Sequence, residues 1–207
     1  TALLLLTLQA LPKSKIKGVV FTEITGNTAQ CNIKYVEEVI EKLGLEDKFI
    51  YSRRGDLDFF QALVKWGLPH IKNRWCMTEF KFKVWRSVDI DKALIGVKYS
   101  DSHWRRRYTW DKPKKLRGML VFSPIYDWKT EDVLDYIKSM NFPISACYEV
   151  YGHSGNCMFC PFRTKTQIEK IMKDPVWSSK IAWALSKLYN NWGRREAKRW
   201  LRFYTTN

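Results

Sequence analysis

Apolar positions in this chain alternate between short continuous runs and stretches of helical spacing, the rhythm of a parallel-sheet protein. Ala2-Leu3-Leu4-Leu5-Leu6-Thr7-Leu8-Gln9-Ala10-Leu11 reads as a buried helix stopped by Pro12. It is too short to span a bilayer, and no basic segment precedes it as in a signal peptide. Val19-Val20-Phe21 within Lys17 to Thr22 reads as a buried strand. Ile33, Val36, Val39, Ile40 and Leu43 keep helical spacing up to a stop at Gly44. Phe49-Ile50-Tyr51 is a weaker strand, and Leu57 to Trp66 a helix capped by Asp56 and closed by Gly67 and Pro69. Ala93 to Val97 and Met119 to Phe122 are further strands.

Thr130 is the expected N-cap of the next helix, with Glu131 and Asp132 in its first turn and Val133, Leu134, Ile137 and Met140 facing inward. From Ile144 to Pro161 the pattern turns irregular, and only helices follow. Thr164 with Gln167 forms a capping box, and Ala197, Trp200, Leu201 and Tyr204 line a final amphipathic helix. The expected architecture is α/β: a doubly wound, mostly parallel, Rossmann-like sheet over 1–143, with a helical extension over 144–207.

A hydrophobic fraction of 45% supports a full core, while the formal charge of +15 attracts anionic partners. Much of that charge lies in His103 to Gly118, where Arg105, Arg106, Arg107, Lys112, Lys114, Lys115 and Arg117 face a single acid, Asp111. A second run holds Arg194, Arg195, Lys198, Arg199 and Arg202. Both suit phosphate or nucleic acid, and both also suit a solvated face.

Open parallel sheets bind ligands beyond the C-terminal ends of their strands. One strand is followed by Thr22-Glu23-Ile24-Thr25-Gly26-Asn27-Thr28, where Glu23 suits a ribose hydroxyl or a metal. Another is followed by Lys98-Tyr99-Ser100-Asp101-Ser102-His103-Trp104-Arg105-Arg106, a hydroxyl, carboxylate and guanidinium set suited to phosphate.

The five cysteines do not make a secreted disulfide framework. Cys157-Met158-Phe159-Cys160 is a Cys-x-x-Cys, with Cys147 earlier in the same loop and Cys76 distant. These four suit tetrahedral zinc or an iron–sulfur cluster, with a redox dithiol or plain packing as the alternatives. Cys31 reads as packed, and His70, His103 and His153 as incidental. No Ser-His-Asp constellation stands out, and no catalytic residue is assigned.

With these residues assembled, the chain resembles the phosphoadenosine phosphosulfate (PAPS) reductase family, within the PP-loop adenine nucleotide α-hydrolases. The resemblance rests on Val19-Val20-Phe21 leading into Thr25-Gly26-Asn27, on Arg74-Trp75-Cys76 with Lys81, and on Gly96-Val97-Lys98 through Asp101-Ser102 to Arg105. It continues through Pro124-Ile125, Trp128, Asp132-Val133 and Tyr136-Ile137 to Tyr151-Gly152-His153-Ser154-Gly155-Asn156-Cys157-Met158-Phe159-Cys160-Pro161.

It implies an enzyme taking ATP, APS or PAPS, for adenylation with sulfur transfer or for sulfonucleotide reduction. Glu23, Thr25, Gly26 and Asn27 would lie near the adenosine; Gly96, Lys98, Asp101, Ser102 and Arg105 would complete the nucleotide site, with Arg74, Lys81 and Arg106 as phosphate or sulfate contacts. A four-cysteine 4Fe–4S cluster, or zinc, and Mg are the implied cofactors. The cytoplasm is the implied compartment, with an electron or sulfur donor protein, tRNA or DNA as partners, an oligomer in scope and no membrane. The family's Ser-Gly-Gly-x-Asp-Ser phosphate loop is absent, so the sequence is expected to begin just after it, leaving Thr1 at the stump of the site. The Glu-Cys-Gly-x-His tail of true reductases is also missing; the expectation is either a truncated tail or a protein that does not reduce by that route, the final amphipathic helix favouring the second. The alternative is a zinc-stabilised nucleic-acid-binding module, within RNA or DNA sulfur modification.

Overall fold

A computed structural model of the chain describes residues 1–70, 72–85, 88, 91–101, 112–116 and 118–192. In order, α1 (Ala2–Ala10) leads to β1 (Val19–Thr22), α2 (Gln30–Leu43), β2 (Phe49–Ser52) and α3 (Phe59–Trp66). Next come α4 (Trp75–Met77), a π-helical turn (Thr78–Phe82) and α5 (Lys83–Trp85). Three strands follow, β3 (Lys92–Leu94), β4 (Lys114–Leu116) and β5 (Met119–Phe122), then α6 (Thr130–Ser139), α7 (Cys147–Tyr151), α8 (Lys165–Met172) and α9 (Pro175–Trp192).

The chain divides into two compact units. The first comprises Thr1–Val19, Val39–Phe49 and Arg86–Ile144; the second comprises Val20–Glu38, Ile50–Trp85 and Ser145–Asn207. The second thus takes the cysteine-bearing C-terminal part together with the loop after β1.

In the first unit, β5 is central: β3 pairs with it in parallel and β4 antiparallel. The parallel register sets Ala93 against Val121, which is fully buried. β4 lies in the basic run between His103 and Gly118, where no strand is expected from the sequence. A three-residue strand carrying two lysines is a usual edge, since Lys discourages further pairing. Gly118, at φ 95°, supplies the positive φ that the tight return into β5 needs. The apolar run of α1 buries Ala2 and Leu5, and Gln9 accepts from the Tyr136 hydroxyl of α6 at 2.7 Å. Lys129, rather than Thr130, stands at the N-cap of α6, and its N–H donates to Asp132 at 2.7 Å.

β1 and β2 form a separate two-stranded sheet. The second unit is built around aromatic packing. α3 buries Phe59, Phe60, Ala62 and Leu63, each Phe contributing roughly 1.5–3 kcal/mol on burial. Phe59 lies 5.4 Å from Trp75 and 6.4 Å from Phe159, ring centre to ring centre. The cap of α3 is Asp58, whose carboxylate accepts from Phe60 N–H at 2.7 Å; Asp56, the expected cap, pairs with Arg54 instead. Gly67 ends the helix at φ 76° and its carbonyl accepts from Trp75 Nε1 at 3.0 Å. α9 packs along α3 and buries Trp177, Ile181, Ala184, Leu185 and Leu188. Thr164 and Gln167 cap α8 reciprocally, as their spacing predicts. The expected final helix and the second basic run lie outside the described residues.

Candidate functional site

Two loops of the second unit are joined by direct bonds. The turn after β1 carries Glu23 to Thr28, and the loop after α7 carries His153 to Cys160. Asn27, fully buried, accepts from Phe159 N–H at 2.7 Å and donates to Phe159 C=O at 3.0 Å. Met158 N–H donates to Asn27 C=O at 2.8 Å, and Ala29 N–H to Gly155 C=O at 2.8 Å. The Thr28 hydroxyl meets Asn156 Oδ1 at 3.1 Å. Cys31 and Cys147 add a disulfide between the start of α2 and α7. Gly155, at φ 79°, admits this closeness: a Cβ there would stand 2.5 Å from Cys147 Sγ and 3.2 Å from Ala29 Cβ.

These bonds revise the expected nucleotide contacts. The Asn27 amide is committed to the Phe159 backbone, so it clamps the loops together. Gly26, at φ 78°, lies so close to Asp58 that a Cβ would overlap its carboxylate. The Thr25 hydroxyl donates to Arg54 C=O at 2.6 Å, and Phe59 N–H donates to Thr25 C=O at 2.8 Å. Glu23 is buried at the mouth of this turn, where its Oε2 accepts from the Tyr51 hydroxyl at 2.8 Å with Arg53 4.0 Å away. Burial and that bond push the Tyr51 pKa well above the usual phenol range. Arg54 bridges Asp56 and Glu79, and Lys83 meets Glu79 at 2.7 Å.

The thiols form the other half. Cys76, Cys157 and Cys160 are free. Burial pushes the Cys76 thiol up to about 11, with Cys157 and Cys160 adding to the effect; burial and Cys157 raise Cys160 as well. Cys157 holds φ 57°, a left-handed conformation that costs a non-glycine residue about 1 kcal/mol or more. Arg74, expected at a phosphate, lies over the Phe162 ring at 4.9 Å, and its charge acts on Cys76 and Cys160. Arg163 Nη2 donates to the carbonyls of Asn156 at 2.5 Å and Cys157 at 3.2 Å. His153, read from sequence as incidental, is 4% exposed, its Nδ1 accepting from Gly155 N–H at 3.0 Å. Burial and the Arg163 charge push its pKa down to about 3.

The expected four-cysteine metal set does not fit this arrangement. Zinc or a cluster needs Cys147 as a free thiolate, and its sulfur is bonded to Cys31. Among the described residues, no three His, Cys, Asp or Glu side chains stand where they could hold a metal ion. Cys31, read as packed, is the partner that local spacing could not indicate, 116 residues from Cys147.

In the first unit, Lys98 Nζ meets Asp101 at 2.5 Å, and Lys98 N–H donates to the same carboxylate at 3.1 Å. Gly96 lies close to Ile125. Beyond β5 an open cavity of about 460 Å³ is lined by Phe122, Ser123, Pro124, Tyr126 and Asp127. Ser123 donates to Val97 C=O at 2.6 Å, and Tyr99 N–H to Tyr126 C=O at 2.7 Å. The cavity residues were missed from sequence, although following a buried strand is itself a signal. Thr1 stands at the N-cap of α1, and Lys81 is half-buried in the π-helical turn. Ser102, Arg105 and Arg106 lie outside the described residues.

Among known structures, the chain is similar to PAPS reductase from Candida auris in its phosphate complex, at 15% identity and a TM-score of 0.52. The similarity covers 75% of this chain and 76% of that one and shows a shared α/β fold. No functionally curated protein matches. The phosphoadenosine phosphosulfate reductase domain family matches residues 1–161, more than half of the chain. The chain therefore belongs to the phosphoadenosine phosphosulfate reductase domain family.

Proposed function

We propose that this protein binds an adenine nucleotide (ATP, APS or PAPS) and couples it to sulfur chemistry at the thiols of the loop after α7. The observation that carries this reading is the bonding of the strand-end turn to that loop through Asn27 and Phe159. A group held at the turn would lie against the segment that carries Cys157 and Cys160. Glu23 would accept from a ribose hydroxyl, since a carboxylate keeps lone pairs beyond the one that Tyr51 uses. Within the first unit, and taken by itself, Lys98, held by Asp101, would offer positive charge to a phosphate or sulfate, with Ser102, Arg105 and Arg106 of the same basic segment. Such groups position the substrate and neutralise its developing charge.

The test offers the full chain ATP, APS and PAPS in turn, measuring equilibrium binding and product. With an electron donor added, release of sulfite from APS or PAPS identifies sulfonucleotide reduction; pyrophosphate from ATP identifies adenylation. Glu23→Gln is expected to weaken nucleotide binding roughly tenfold. If none of the three nucleotides binds, the reading is lost. The charge of +15 favours a nucleic-acid acceptor as a second reading. It requires tRNA or DNA binding that weakens steeply with salt.

A further inference from the structure

Among the described residues, two buried N–H donors near the thiols have no acceptor. His153 accepts from Gly155 N–H through Nδ1, so the neutral ring carries its proton on Nε2. That Nε2 is buried and meets no hydrogen-bond partner among the described residues. Arg163 commits Nη2 to two carbonyls, yet its Nε is also buried without a partner among the described residues. No carboxylate pairs with Arg163 among the described residues, so a guanidinium charge is sunk beside Cys157 and Cys160 with no carboxylate among those residues to balance it. The charge of Arg163 acts on His153 and on both thiols, which puts the four groups in one neighbourhood.

Buried donors left unpaired cost about 1–3 kcal/mol each, and an unpaired buried charge costs more. A small anion accepting from both N–H groups would remove both costs. We propose that Arg163 Nε–H and His153 Nε2–H form a binding site for a small inorganic sulfur anion of the hydrosulfide class, beside Cys157 and Cys160.

Burial decides against a doubly charged oxyanion, because the desolvation of sulfate or hydrogen phosphate exceeds what one guanidinium offsets. The neighbouring thiols decide for sulfur, since a soft, polarisable anion gives up less hydration than a hard one on burial beside them. This site needs no nucleotide, so it stands or falls apart from the proposed function.

The test uses the full chain labelled with ¹⁵N at Arg and His, titrated under argon with sodium hydrosulfide, sodium chloride and sodium sulfate. Intact mass after each titration verifies that hydrosulfide has not opened Cys31–Cys147. Hydrosulfide is expected to shift the His153 Nε2–H and Arg163 Nε–H resonances along one saturable curve, with half-saturation roughly tenfold below that of chloride or sulfate. Arg163→Met, read at His153, should weaken this roughly tenfold. Because that variant also loses the two carbonyl bonds, His153→Asn is the second arm. Its side-chain oxygen can still accept from Gly155 N–H while the Nε2 donor is gone, and Arg163 Nε–H reports binding. No saturable shift up to roughly 50 mM, equal or tighter binding of chloride or sulfate, or unchanged binding in both variants overturns the proposal.

Discussion

Asn27 shows how one side chain sets the geometry of the site. Its amide satisfies both backbone groups of Phe159, across 132 residues of sequence, with no exposure to solvent. Asn27→Ala leaves a buried N–H and a buried C=O unpaired, so it is expected to cost about 2–4 kcal/mol. Urea unfolding checks this, and a loss under 1 kcal/mol would mean that the loops hold together without it. Sequence indicated a polar residue in a strand-end turn, where ligand contact is the natural reading. It could not indicate the partner, because a pairing 132 residues distant leaves no local spacing. The same limit explains Arg74, which lies over Phe162, and His153, whose burial depends on the fold rather than on its neighbours in the chain.

Elements were more legible than contacts, because caps and apolar spacing act within a few residues. The Thr164–Gln167 box of α8 was readable for that reason, whereas the cap of α3 moved from Asp56 to Asp58 once Arg54 drew Asp56 away. β4 escaped because a three-residue edge strand with two lysines has too little pattern to separate from a basic loop. α9 offers a test at this scale. Asp174 accepts from Val176 N–H at 2.9 Å and Trp177 N–H at 3.3 Å, and from the Tyr151 hydroxyl at 2.6 Å. Burial alone would raise its pKa, but the Tyr151 and backbone bonds outweigh that and hold it below the usual carboxylate value. A carboxyl depressed in the folded state stabilises above its unfolded pKa, and that stability fades as pH falls through the folded value. Asp174→Ala should therefore cost about 1–2 kcal/mol at pH 7 and progressively less as pH drops below roughly 4. A cost that did not change with pH would assign the effect to lost packing.

At the scale of the whole chain, the Cys31–Cys147 bond closes a loop across 116 residues, and both its sulfurs lie within one compact unit. Cross-linking over such a separation restricts the unfolded chain by several kcal/mol in the chain-entropy account. Reduction is expected to lower stability by about 4–5 kcal/mol, and Cys31→Ser should reproduce most of that loss without reductant. The bond also partitions the cysteines. Of five, three remain as thiols, so a thiol reagent applied to the unfolded, unreduced protein should count Cys76, Cys157 and Cys160. The same protein should bind neither zinc nor iron with four thiolate ligands, because the fourth ligand is not a thiolate until the bond opens. Metal analysis before and after reduction separates the cases. Stoichiometric metal only after reduction would make the disulfide the closed state of a thiolate site. Stoichiometric metal at four thiolates in the unreduced protein would require Cys147 to be free, and the two loops would then be held without the Cys31–Cys147 clamp.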